Sequence, residues 1–95
     1  MKSETILGIA SGVSVRPFTD GSSAYVFRQS PPAVFILDAL SWTILYHCDH
    51  KSLEEVQRWI AAATEHLEGS DVLHEMCGPI VEELEERGLI TILLG

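Results

Sequence analysis

The chain reads as an α+β domain in which a three-stranded antiparallel sheet is followed by a three-helix bundle. Two patterns predict this. Residues 12–37 fall into short alternating or apolar runs separated by Gly, Pro, Ser and Asp, as strands and turns do. From Asp38 onward apolar residues recur three and four apart, the period of a helix that buries one face.

Each element follows from its own residues. Gly12-Val13-Ser14-Val15-Arg16-Pro17-Phe18 alternates like a half-buried strand, with Val13 and Val15 on one face. Pro17 has no amide donor, so this strand lies at an edge or ends there. Thr19-Asp20-Gly21-Ser22-Ser23 is a turn, and its Asp-Gly pair suits a hairpin. A second strand returns over residues 24–29, and Ser30-Pro31-Pro32 breaks it. Residues 33–37 make a third strand, apolar throughout, which predicts cover on both of its faces.

Asp38 is placed to cap a first helix over residues 39–48, with Leu40, Trp42, Ile44, Leu45 and Cys48 available for burial. Asp49-His50-Lys51 interrupts it. Ser52-Leu53-Glu54-Glu55 is a capping box, in which the serine oxygen and the glutamate each satisfy a backbone amide of the other. The helix it opens carries Leu53, Val56, Trp59, Ile60, Ala63 and Leu67 at helical spacing, and Gly69 stops it. Ser70 or Asp71 caps a third helix, whose buried stripe is Leu73, Cys77, Ile80 and Leu84 and whose end is Gly88. Gly78-Pro79 falls inside it. Proline costs about 3 kcal/mol in a helix interior, so a kink or a split into two shorter helices is expected. Residues 89–94 form an uncharged apolar tail of strand composition. Left exposed, such a tail aggregates; it should pack on the domain or pair with a second chain.

Length and charge bound the function. The 95 residues suit one domain, with its core over about residues 12–90. Fourteen acidic against six basic residues give a net charge of −8, which repels nucleic acid and anionic membranes and favours neutral or basic partners. The apolar run at residues 6–10 is too short for a secretory signal, and no stretch approaches the ~20 apolar residues of a membrane span. Two cysteines make no disulfide framework, so a reducing cytoplasm is the expected setting.

His47, Cys48, His50, His74 and Cys77 invite a metal reading, but no four-ligand set with zinc-site spacing emerges, and both cysteines occupy apolar helical positions. No cofactor is expected. His47 and Cys48 are adjacent on a helix and point apart, so they form no catalytic dyad, and no phosphate-cradling glycine loop is present. The chain is therefore expected not to be an enzyme. A winged-helix-like regulator or scaffold contacting protein or DNA is the competing reading. DNA is disfavoured because Glu82, Glu83, Glu85 and Glu86 crowd the helix that would enter the groove.

The segments Leu37-Asp38, Ile44-Leu45, Cys48-Asp49-His50 and Ser52-Leu53-Glu54-Glu55-Val56, in this order and spacing, resemble the PqqD-like family, also called the RiPP recognition element. Leu84-Glu85-Glu86-Arg87-Gly88-Leu89-Ile90 is similar to that family's closing segment, so the likeness runs from about residue 12 to residue 90. His50 stands where the family has Gly, Asp38 where it has Asn, and Gly78-Pro79 departs from its pattern.

The resemblance implies a winged-helix-like fold that binds peptide without chemistry of its own. The leader of a ribosomally made precursor peptide adds as a strand to the third strand, lies against the third helix, and is presented to a modifying enzyme, often a radical S-adenosylmethionine enzyme. On this chain the strand is Ala33, Val34, Phe35, Ile36 and Leu37. The facing wall is Val72, Met76, Ile80, Glu83 and Arg87, with Met76 an adaptable apolar contact and Glu83 a partner for a basic leader residue. Monomer and homodimer both stay open.

Overall fold

The computed structural model describes residues 4–94. In chain order these form β1 (Ile6–Ile9), β2 (Val13–Pro17), β3 (Ser23–Gln29), β4 (Pro32–Asp38), α1 (Ala39–His47), β5 (Lys51–Ser52), α2 (Leu53–Thr64), α3 (Ser70–Glu86) and β6 (Ile90–Leu94). The α+β class is as expected, but there are two three-stranded antiparallel sheets, ordered β2-β3-β4 and β5-β1-β6.

The first sheet is the expected meander. Its opening turn forms because Asp20 Oδ1 accepts from the Ser22 amide at 3.0 Å and the Ser22 hydroxyl at 2.8 Å. Those bonds hold the Asp20 carboxyl below its ordinary pKa. β2 is an edge strand, where Pro17 withholds no donor from a neighbour. In β3, Ala24 and Val26 are buried while Tyr25 and Phe27 are exposed. β4 departs from the expectation of two covered faces: Leu37 is buried, yet Val34 and Ile36 are 59% and 63% exposed. The reason is that helical cover reaches one face of the meander only, chiefly through α1.

α1 and α2 begin where their caps predict. Asp38 Oδ1 accepts from the Ser41 amide at 2.8 Å. The Ser52–Glu55 box is complete, with bonds of 3.1 and 3.3 Å. Two positions on α2 differ from the expected stripe. Trp59 is exposed, with its ring stacked on His47 at 4.2 Å, and Leu67 is exposed because the helix ends at Thr64. At α3 the N-cap is Gly69, a residue with no side chain to accept a bond, rather than Ser70 or Asp71.

α3 is one helix through Pro79, not two. Pro79 and Glu75, the residue whose carbonyl loses its helical partner, are both exposed, so water can satisfy the freed group. The buried stripe is Cys77, Ile80, Val81 and Leu84. The side chains of Leu73 and His74 lie outside the described residues.

Gly88 turns the chain out of α3. Its φ is +74°, its amide bonds to the Glu85 carbonyl, and the Leu89 amide bonds to the Leu84 carbonyl, both at 2.9 Å. This left-handed cap is one that glycine adopts without strain. It delivers β6 to β1, with Ile9 opposite Ile90 and Leu7 opposite Ile92. β5 flanks β1 on the other side, and Asp49 Oδ1 takes the Ile9 amide at 3.0 Å, extending the hydrogen bonding past the end of β5. Leu7 and Ile90 from this sheet join Val26 and Leu37 from the meander and the buried faces of all three helices in one core.

Candidate functional site

β4 is bonded to β3 on one side, and among the described residues no strand lies on the other. The chain's own tail does not close the meander, because β6 pairs with β1. The two edges of the meander are guarded differently. β2 carries Arg16 and Pro17, residues that discourage further pairing; β4 has Pro32 and Asp38 only at its two ends, and residues 33–37 between them contain neither charge nor proline.

The side chains of β4 alternate between two surroundings. On the outer face Ile36 stands opposite Tyr25, and Val34 opposite Phe27. All four are exposed and form one apolar block. Tyr25 and Phe27 also wall a shallow depression with Ser14 and Arg16. On the inner face Phe35 is half-buried with two guanidinium groups near its ring, Arg28 at 5.3 Å and Arg87 at 5.5 Å from the ring centre. Such contacts are worth about 0.5–1 kcal/mol when partly exposed.

Arg28 also joins the sheet to α3. Its Nε donates to the Pro31 carbonyl at 2.9 Å, and its terminal nitrogen donates to the Arg87 carbonyl at the end of the helix. A cation there complements the negative end of the helix dipole. Arg87 in turn holds Glu83 at 2.7 Å, one turn back on α3. Both side chains remain partly exposed, so this pair contributes at most about 1 kcal/mol.

Among the residues assigned to the cleft from sequence, Phe35 and Arg87 come together. Val34 and Ile36 lie on the opposite face of the sheet from them. Val72 and Met76 are exposed on α3. Ile80 is only 9% exposed and belongs to the core. Glu83 already has Arg87 as its partner. Sequence reading passed over Tyr25, Phe27 and Arg28. The two-residue period of a strand puts Tyr25 and Phe27 on one face together, a signal present in the sequence, whereas Arg28 needed the register with Ala33 and the position of the α3 terminus.

The two thiols are enclosed. Both cysteines are buried, and neither is in a disulfide. Burial first, and the Asp49 carboxylate second, push the Cys48 thiol up to about 12, and burial raises Cys77. Neither is a thiolate at neutral pH. Among the described residues no three His, Cys, Asp or Glu side chains gather as a metal site would require. An apolar hollow between α1 and α2 is lined by Leu40, Thr43, Trp59, Ile60 and Ala63. Among the described residues no helix is long and apolar enough to cross a membrane.

Fold and site together define a small α+β domain with an open, uncharged strand edge beside an arginine-flanked aromatic ring. No family model, curated protein or solved structure matches the chain.

Proposed function

We propose that the chain is a non-catalytic module that takes up the leader segment of a ribosomally made precursor peptide as an added strand on β4 and presents it to a modifying enzyme. The observation that carries this reading is the open edge at residues 33–37, left unpaired although an apolar tail long enough to close it lies in the same chain. Main-chain hydrogen bonds along such an edge contribute about 0.5–1.5 kcal/mol each, and side-chain pockets on either face add selectivity.

β6 is also an edge strand, with Ile92, Leu93 and Leu94 exposed, and is the natural place for a homodimer contact. β4 is the better peptide site because Arg28 and Arg87 stand beside it, and recognition needs polar groups that fix orientation. The helical half, with a short strand between α1 and α2 and another after α3, supports a winged-helix-like arrangement. With the sequence resemblance, this supports reading the chain as a PqqD-like recognition element, expected in the cytoplasm. Its partner is a maturase such as a radical S-adenosylmethionine enzyme, and its effect is to raise the local concentration of substrate. The acidic face of α3 argues against nucleic acid and anionic membranes as partners.

The test is a titration of isotope-labelled protein with synthetic leader peptides from short precursors encoded beside its gene. Saturable amide shifts centred on residues 33–37 are expected. Ile36→Lys, at an exposed position, should weaken binding by about tenfold or more and leave the fold intact. Binding that leaves the β4 amides unmoved would overturn the reading.

A further inference from the structure

We propose that the segment taken up by β4 is an acidic-apolar strand, with a carboxylate at the position paired with Phe35 and apolar side chains at the positions on either side of it. The inference rests on the strand-addition reading and specifies the chemistry of its ligand. Two columns of side chains decide it. A guest strand against β4 lays its outward residues beside Val34 and Ile36, which are exposed next to Phe27 and Tyr25. Apolar guest residues there remove that surface from water at about 25 cal/mol per Å², whereas polar ones leave it partly wet.

On the inward column the Arg28 and Arg87 guanidinium groups lie 5.3 and 5.5 Å from the centre of the Phe35 ring, Arg28 reaching over from β3, so a guest residue opposite Phe35 would lie near both. A guest cation would find the Glu83 carboxylate already held by Arg87 at 2.7 Å, and two positive groups around it. A guest carboxylate finds those two cations against one anion. Arg28 makes hydrogen bonds to the Pro31 and Arg87 carbonyls, and a guanidinium has five donors, so it has N–H groups to offer. The net charge of −8 opposes an acidic ligand at long range. At physiological salt, charges beyond ~8 Å are largely screened, so the adjacent arginines outweigh it. This replaces the role expected for Glu83: the local charge selects an acid, not a base.

The experiment titrates the full chain by calorimetry with capped nonapeptides. The reference is Thr-Val-Thr-Val-Glu-Val-Thr-Val-Thr, compared with versions carrying Gln or Lys at the centre and one in which every Val is Ser. The Glu peptide should bind about fivefold tighter than the Gln peptide, the Lys peptide weakest of the three, and the Ser version should lose most affinity. In Arg87→Gln the preference for Glu over Gln should fall to about twofold or less, as it should in high salt. Equal affinity for Glu, Gln and Lys, or tightest binding of Lys, overturns this inference and leaves strand addition standing. No binding by any of the peptides overturns both.

Discussion

β1 and β4 are both short strands of mainly apolar residues, yet β1 runs between two partners while β4 has one. Leu7 in β1 has no exposed surface, and the strand is held by β5, by β6 and by the Asp49 side chain. β4 turns one column toward the core, where Leu37 is buried and Phe35 half-buried, and leaves the other in water. Similar composition thus produces a structural strand in one sheet and an available one in the other. The difference lies in what covers each strand, and cover is decided by elements far away in sequence.

The largest test of this contrast is Leu7→Ala. Removing a wholly buried side chain from the shared core should cost about 2–5 kcal/mol in denaturant unfolding. A loss below about 1 kcal/mol would mean that β1 is no more structural than β4.

Next comes the alkaline limit set at the junction between α1 and the β1 sheet. Cys48 has an ordinary thiol value of 9.0, which rises to about 12 in the folded chain. Between those values the unfolded chain has released the proton and the folded one retains it. Folding stability is therefore fully present below pH 9 and falls as pH rises toward 12, by at most about 1.4 kcal/mol per pH unit. Urea unfolding from pH 8 to 11 should show this slope, and Cys48→Ala should reduce it, leaving the smaller part of the same sign that the raised Cys77 thiol contributes.

The smallest effect belongs to the outer face of β4. Ile36→Thr keeps a β-branched residue at an exposed position and should shift stability by no more than about 0.5 kcal/mol. A loss comparable to that of Leu7→Ala would show that this face is covered in solution.

What could be read from sequence was what is decided locally. Asp38 and Ser52 cap their helices through bonds spanning three residues, and the meander follows from alternation and turn chemistry. The second sheet was hidden because β1 pairs with residues 90–94, a contact that no local pattern encodes. The outer face of β4 was misread because an unbroken apolar run looks the same whether one face is covered or two. Trp59 fitted the helical stripe but found a partner in His47 at the surface. Pro79 carries a penalty that local rules count in full, yet it falls on the side of α3 that water can reach. In the candidate site, the strand and Arg87 were legible. Arg28 was not, because its role arises only where the end of β3 meets the end of α3.

The left-handed turn at Gly88 reaches further than the tail it redirects. A methyl group added there would stand 3.3 Å from the terminal nitrogen of Arg28, in addition to the strain of its positive φ. Disturbance at this hinge would pass directly into the group that flanks Phe35. The residue that keeps the tail off the open edge is thus mechanically coupled to the residue that would read what arrives there.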